Sequence, residues 1–455
     1  MDYYSGIFKG NDIRGSYPNE LNEDVAFKIG QSLVKYLACK NVALGRDIRL
    51  SSESLFQALS EGIISNGAEV IDLGLVSTDA FYFAVGKFGF EAGVMITASH
   101  NPPSDNGFKI CKKGAIMLYE DNGLQVLQNI LTSNNFVLLN VQKGEIVKQN
   151  IHNDYLKHLL SFIQIKNIKP FHLAIDTSNG MAGLIIEEIV SRLSLRPHYL
   201  NLKLDGTFPH HLPNSNNPKA LKQLSEVVLK KQLDLGVIFD GDADRVAFID
   251  EKGKFVEAST ILALFIKHFL PSNPKARVVY DSASSLIIKE TILKYQGIPI
   301  RSPIGHSFMK ATMRENDALL GGEHTGHFYF KENFYSDSGM IAFLVLLEIL
   351  SQNKKTLSEL VKETNPYFHS QETNYQQNEG YEKKLIQVEK YYLDKGMTVE
   401  HYDGIIIQGK DFWIHLHPAH TEPFIRTNIE AHTQSLLKEK EQELQLIFSQ
   451  VGLLN

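Results

Sequence analysis

One arrangement recurs three times along this chain and leaves few folds open. Val42-Ala-Leu-Gly45, Phe171-His-Leu-Ala-Ile-Asp176 and Arg277-Val-Val-Tyr-Asp281 are apolar strand patterns that end in Gly or Asp. A short polar stretch follows each: Arg46-Asp-Ile-Arg49, Thr177-Ser-Asn-Gly180 and Ser282-Ala-Ser-Ser285. Apolar residues then return at helical spacing, as Leu55, Leu59, Ile63 and Ile64, as Ile185, Ile186 and Ile189, and as Ile287, Ile288 and Leu293. In the first copy Ser51 or Ser52 is placed to cap the helix, Gly67 ends it, and Glu69-Val-Ile-Asp-Leu73 reads as the next strand. Strand, helix and strand in that order form the parallel βαβ unit. Intervals of roughly 105 to 130 residues are too long for a solenoid and suit three related α/β domains.

A chain of 455 residues has room for three or four domains. Boundaries are expected at residues 150–153, after Gly253, and within Thr364-Asn-Pro-Tyr367, which gives domains 1–150, 151–253, 254–367 and 368–455. The first three are expected to be α/β with mixed sheets. The last differs: Gly404-Ile-Ile-Ile-Gln408 and Phe412-Trp-Ile-His-Leu416 read as strands joined by Gly409-Lys-Asp411. Ile425 to Glu430 alternates like another strand, and Gln434 to Phe448 is helical, so this domain is α+β. With 46 Lys and Arg against 52 Asp and Glu, a formal charge of −6 argues against a general nucleic-acid binder. Two cysteines, Cys39 and Cys111, make no disulfide framework. The apolar run Met340 to Leu347 stops at Glu348, short of the roughly 20 residues a membrane span requires. Met1 to Ser5 carries no basic-then-apolar leader, so a cytoplasmic protein without a membrane partner is expected.

Three loops carry the chemistry. Val94-Met-Ile96 ends at Thr97-Ala-Ser-His100, and Asn101-Pro-Pro103 bars regular structure beyond it, because proline lacks a donor and restrains its predecessor. Small polar residues at the carboxyl end of an α/β strand stand where such folds bind ligands, which makes Ser99 the candidate reacting group. Between Leu235–Phe239 and Val246–Ile249 lies Asp240-Gly-Asp-Ala-Asp-Arg245. Carboxylates at i, i+2 and i+4 on a tight bend can converge on a hard cation such as Mg²⁺. An EF-hand fits poorly, since Arg245 stands where its sharp turn wants Gly and the flanks read as strands. The third locus joins Arg301 to Lys310 with Leu320-Gly-Gly-Glu-His-Thr-Gly-His-Phe-Tyr-Phe330. Glu323 and Thr325 offer acceptors for sugar hydroxyls, and His306 can bind a phosphate or move a proton. His324 and His327 lack a third zinc ligand at a suitable spacing, and His415-x-His417-x-x-His420 is an equally weak metal pattern. Arg14, in Lys9-Gly-Asn-Asp-Ile-Arg-Gly15, reads as a loop arginine.

Thr97-Ala-Ser-His-Asn-Pro102, Asp240-Gly-Asp-Ala-Asp-Arg245 and Gly322-Glu-His-Thr-Gly-His327, in this order and at these distances, resemble the α-D-phosphohexomutases, in particular their phosphomannomutase/phosphoglucomutase branch. The resemblance runs from Asn11-Asp-Ile-Arg-Gly15 to Thr421-Glu-Pro423. It implies four domains around a central cleft, three alike and a fourth of α+β kind. It implies that Ser99 is a phosphoserine and that Asp240, Asp242 and Asp244 hold Mg²⁺ together with a phosphoserine oxygen. Arg245, Arg14, His100 and Lys109 would surround the transferring group, with Glu323 and Thr325 on the hexose hydroxyls and His306 near the substrate's distal end. The distal phosphate would meet the fourth domain at His417, His420 and Thr421. The implied substrates are hexose phosphates, mannose before glucose, with hexose 1,6-bisphosphate as activator and intermediate, acted on by a monomer or weak dimer. The chain departs from the family in the fourth-domain loop, where His417 and Ala419 stand for an arginine and a serine, and at Ala283, where sugar mutases often carry lysine. An imidazole cannot make the bidentate clamp of a guanidinium. Two alternatives therefore stay open: a mutase for glucosamine phosphate or another sugar phosphate, and a catalytically weak sugar-phosphate sensor.

Overall fold

The computed structural model describes residues 6–133, 142–370, 372–418 and 423–454. Its strands form four sheets, and the first three repeat one plan. The three recurring strands become Asn41–Arg46, His172–Asp176 and Arg277–Asp281, each with a parallel neighbour on both sides. On one side that neighbour follows the crossover helix: Glu69–Leu75, Arg196–Leu200 and Ile298–Ser302. On the other side it is Ala92–Ile96, Leu235–Phe239 or Leu320–Gly322, and each of these turns back into an antiparallel strand, Asp105–Lys112, Val246–Ile249 or Phe328–Phe330. The three loops singled out in the sequence are those three turns. They stand at equivalent positions, at the carboxyl ends of parallel strands.

Details of the repeat differ from its sequence pattern for local reasons. Ser51 occupies the cap position of the helix Ser52–Ile64, yet its hydroxyl accepts from Asn106 Nδ2 at 2.8 Å and caps nothing. In the second copy Met181–Leu184 is a 3₁₀ turn and the helix proper is Ile186–Arg192. The second sheet ends on Phe255–Val256, past the boundary expected after Gly253. The helix His152–Leu160 begins within the first expected boundary, and its Tyr155, Leu156 and Leu159 join a core continuous through the first three units. Through that core runs the helix Gly339–Gln352, buried from Gly339 to Leu350, which accounts for the apolar run of the sequence. Among the described residues no helix is long and apolar enough to cross a membrane.

The fourth sheet is wholly antiparallel, with Phe412–Pro418 and Phe424–Ala431 at its centre and two helices, Tyr381–Asp394 and Gln434–Gln450, packed into a core of its own. Its joints to the third unit are polar. Asp403 Oδ2 accepts from Ser282 Oγ at 3.0 Å and from the Ile304 amide at 2.7 Å, and Arg301 pairs with Glu400 at 2.8 Å.

Helices Glu23–Leu37 and Ser52–Ile64 cross so closely that two glycines face backbone. A Cβ on Gly62 would lie 2.1 Å from the Phe27 carbonyl oxygen, and one on Gly30 2.5 Å from that of Leu59. Gly62→Ala should therefore lower the unfolding free energy by about 2–3 kcal/mol, outweighing the ~1 kcal/mol that alanine gains in an isolated helix. Urea unfolding measures it; a midpoint equal to or above wild type would mean that the two helices do not need this contact.

Candidate active site

Ser99 lies in the first loop with φ +50°, a left-handed conformation that a residue with a side chain adopts at a cost of order 1–3 kcal/mol. Thr97 Oγ1 accepts from its amide at 2.9 Å. This backbone turns the buried hydroxyl toward the second loop, where Ser99 Oγ donates to Asp240 Oδ2 at 3.0 Å and accepts from Arg245 Nη2 at 3.2 Å. The two loops touch through Gly241, on which a Cβ would lie 2.6 Å from the Ser99 carbonyl oxygen, so no larger residue fits. His100 Nδ1 is 3.4 Å from Ser99 Oγ; burial and the cations Arg245 and Arg14 hold that imidazole well below its usual range, so it is neutral.

Asp240, Asp242 and Asp244 each offer an oxygen within 4.8 Å of the others, and all three are fully buried. Arg245 binds Asp240 through Nε at 3.0 Å and through its own amide at 3.1 Å. Lys109, on the strand Asp105–Lys112, reaches Asp242 Oδ2 at 2.7 Å and Asp244 Oδ2 at 2.5 Å. Burial, and then the two neighbouring carboxylates, push Asp240 up to about 7 against the pull of Arg245, while Lys109 keeps Asp242 and Asp244 below the usual carboxylate range. Asp242 Oδ1 and Asp244 Oδ1 are buried with no hydrogen-bond partner. Oxygen-only donors on a tight bend, two of them unsatisfied, fit a hard divalent cation.

Arg14 is on a strand rather than in a loop. Ile13–Ser16 adds to the edge of the first sheet, Arg14 opposite Gly107, because the chain around it pairs fully with Asp105–Lys112. Its guanidinium bonds Asp12 Oδ2 at 2.9 Å and Asn101 Oδ1 at 3.0 Å, the latter in the Ser99 loop. His306 Nε2 lies 3.9 Å from the same Asp12 carboxylate, and its Nδ1 accepts from Lys310 Nζ at 3.5 Å. Burial, then Lys310, bring His306 down to about 4. His306 and Arg14 thus approach the same Asp12 carboxylate.

In the third loop Glu323 accepts from the Gly305 amide at 2.9 Å and from the Tyr329 hydroxyl at 2.5 Å. Thr325 and His324 line a cleft of about 880 Å³ that also takes in Ala283 and, from the fourth sheet, Arg426. His324 and His327 go to different carboxylates, which excludes them as a zinc pair. His324 Nδ1 bonds Asp281 at 2.6 Å, and that carboxylate outweighs burial to push the imidazole up to about 9. His327 Nδ1 lies 2.7 Å from Asp337 Oδ2 and 3.8 Å from Asp244 Oδ1, and Asp337 also pairs with buried Lys310 at 2.7 Å. Carboxylates hold His327 above its ordinary value despite burial.

His417 is buried, with Nδ1 donating to the Asp403 carbonyl at 2.9 Å, and His415 reaches the same oxygen at 3.1 Å. No metal group forms there among the described residues. His420 and Thr421 lie outside the described residues. Four residues join the site that sequence reasoning did not assign to it: His327, Asp337, Lys310 and Thr78. His327 and Lys310 lie in stretches that the third locus already marks, and Asp337 and Thr78 have no local signal. Thr78 donates through its amide to the Asp242 carbonyl at 2.9 Å and through Oγ1 to Asp242 Oδ2 at 2.6 Å, across 164 residues of chain.

Comparison with known proteins agrees with this geometry. Three family models match: Phosphoglucomutase/phosphomannomutase alpha/beta/alpha domain I over residues 5–136, domain II over 153–253 and domain III over 257–367. The chain is 36% identical to a phosphomannomutase of Escherichia coli strain K12, covering 95% of this chain and 96% of that one. It is 35% identical to a phosphomannomutase of Methanocaldococcus jannaschii, covering 98% of each. A crystal structure of a phosphoglucomutase/phosphomannomutase family protein from Burkholderia thailandensis superimposes with a TM-score of 0.89 at 28% identity, over 98% of both chains.

The Thr78 contact makes a prediction about the acidic loop. Thr78→Val removes one donor to Asp242 and leaves Lys109 in place, so Mn²⁺ binding, read by electron paramagnetic resonance, should weaken five- to ten-fold, the equivalent of about 1–1.4 kcal/mol. Unchanged Mn²⁺ affinity would mean that Thr78 does not orient this carboxylate.

Proposed function

The chain belongs to the phosphoglucomutase/phosphomannomutase family and is a phosphohexomutase, and on that premise we propose that it interconverts mannose 1-phosphate and mannose 6-phosphate, with glucose phosphates as second substrates. The observation that carries the mechanism is the contact of Ser99 Oγ with both Asp240 and Arg245 beside two further buried carboxylates. In this reading Ser99 stores the phosphoryl group between half-reactions. Asp240, Asp242 and Asp244 would hold Mg²⁺ together with an oxygen of phosphorylated Ser99, and the bound ion would neutralise charge on the transferring group. Arg245, Arg14 and Lys109 supply the fixed cations, and His100, neutral and close to Ser99 Oγ, donates a hydrogen bond.

His327 is the proton carrier of this scheme. The sugar hydroxyl attacks the phosphoserine phosphorus and gives its proton to neutral His327, the bond from phosphorus to Ser99 Oγ breaks, and Ser99 Oγ takes up a proton from water as it leaves. After the hexose 1,6-bisphosphate has turned over, Ser99 Oγ gives its proton back to water as it attacks the other phosphate, and His327 returns its proton to the departing sugar oxygen. Glu323 and Thr325 bind ring hydroxyls during both steps, and His306 supports Arg14 through Asp12. The distal phosphate reaches the fourth unit, where Arg426 lines the cleft and His417 stands opposite it in the sheet, with His420 and Thr421 as further residues proposed to meet it. The polar joints of that unit suit the movement that reorientation requires. The protein acts as a cytoplasmic monomer or weak dimer.

A coupled assay with Mg²⁺ and catalytic glucose 1,6-bisphosphate tests the proposal. Mannose 1-phosphate should give the highest kcat/KM, glucose 1-phosphate the next, and Ser99→Ala should reduce turnover roughly a thousand-fold or more. A preference for glucosamine 1-phosphate would reassign the substrate, and binding without turnover would make the chain a sensor.

A further inference from the structure

The loop that carries Ser99 has a few backbone partners: the Asn101 amide donates to the Ala98 carbonyl and the Asp105 amide to that of Pro102, both at 3.0 Å, and the Tyr17 amide to that of Ser104 at 2.8 Å. Pro102 and Pro103 have no amide hydrogen, and the loop is neither helix nor sheet, yet its carbonyls point into protein. Arg14 Nη1 reaches the Ala98 carbonyl at 3.5 Å, and a second arginine meets four others. Arg49, 2% exposed, donates through Nη2 to the Ser99 carbonyl at 2.7 Å and to that of Asn101 at 2.8 Å. Through Nη1 it donates to the Pro102 carbonyl at 2.6 Å and to that of Asp105 at 2.9 Å. Nε donates to Asp47 Oδ2 at 3.2 Å. A guanidinium has five N–H donors, and all five are used, three of them on this loop and one on Asp105, where the next strand begins.

The mount for Arg49 is itself fixed. Asp47 accepts from Ser52 Oγ at 2.6 Å and from the Arg49 amide at 3.0 Å, and its own amide donates to the Ile96 carbonyl at 3.0 Å, at the end of the strand that leads into the loop. From the second unit, the Phe208 ring lies 5.2 Å from the guanidinium carbon, and Gly206 approaches so closely that a Cβ there would lie 2.2 Å from the Ile48 carbonyl oxygen. Arg49 therefore has no path to a sugar phosphate in the cleft.

We propose that Arg49 is the positioning residue of the phosphoserine loop. Its planar fork locks four carbonyls at once and so keeps Ser99 in the left-handed conformation that aims Oγ at Asp240 and Arg245, in both half-reactions and without touching substrate. The proposal rests on Ser99 as the phosphoryl carrier. A misplacement of about 1 Å in such a group lowers the rate about a hundred-fold while leaving remote binding contacts in place. Lysine at this position keeps the charge but offers three donors from a single point, so it cannot span the four acceptors.

The test compares wild type, Arg49→Lys and Arg49→Met in single-turnover transfer of phosphate from glucose 1,6-bisphosphate to the protein, with steady-state kcat and KM alongside. Transfer to Ser99 and kcat should both fall about a hundred-fold in each variant, KM and Mn²⁺ affinity should stay within about three-fold, and amide exchange of residues 98–106 should rise. Lysine restoring full transfer would reduce Arg49 to a buried charge and overturn the positioning role, as would a KM rise with kcat intact. If neither variant folds, exchange in the wild type decides: residues 98–106 protected like the neighbouring strands support the proposal, and fast exchange there overturns it. Wild-type protein that never acquires phosphate on Ser99 would remove the functional reading itself, an outcome distinct from equal transfer by wild type and variants.

Discussion

Three carboxylates that repel one another are held side by side, and the rest of the molecule is arranged to make that possible. At separations below 5 Å and an effective dielectric constant of about 20, each pair of ionised carboxylates opposes assembly by about 3 kcal/mol. Burial adds to that cost. The opposition is met by cations that no single unit supplies. Lys109 comes from the first sheet and Arg245 from the acidic loop itself. Thr78 adds two neutral donors from the first turn of another helix. The match is incomplete, since two buried carboxylate oxygens stay without a hydrogen bond, and an incomplete match is what leaves room for a divalent ion and a phosphate. A fully neutralised cluster would have been more stable and chemically idle.

The same constraint explains why three sheets repeat one plan. Each sheet delivers one loop from the carboxyl end of a parallel strand into an antiparallel return, and the shared core fixes those three loop ends around one point. The roles then separate by residue type alone: a hydroxyl in the first loop, carboxylates in the second, an imidazole and acceptors in the third. The fourth sheet keeps its own core and touches the third unit through hydrogen bonds and an ion pair, an arrangement that can open at little cost.

Much of this was legible because it is local. The strands Leu235–Phe239 and Val246–Ile249 stand where the apolar pattern put them, and the bend between them is readable as carboxylates on a turn. Ser99 is marked by the prolines that follow it. What could not be read are contacts between residues remote in the chain. Nothing near Thr78 points to Asp242, and Arg49 reads as one more polar residue in a crossover loop until the four carbonyls it holds are seen. Arg14 stands in a strand where the sequence suggests a loop, because that strand is short and its partner, Gly107, lies 93 positions on. His417, expected at a phosphate, spends its Nδ1 on the Asp403 carbonyl, a contact that depends on how Phe412–Pro418 packs against the turn before it.

The account stands on Ser99 as the group that carries phosphate beside the acidic loop. Its most direct test is to incubate the protein with isotopically labelled glucose 1,6-bisphosphate and Mg²⁺, quench, and map the label by peptide mass spectrometry. The label should appear on the peptide that contains Ser99, at that residue, and should discharge when mannose 6-phosphate is added. Label on another residue, or label on Ser99 that hexose phosphates cannot remove, would contradict the account.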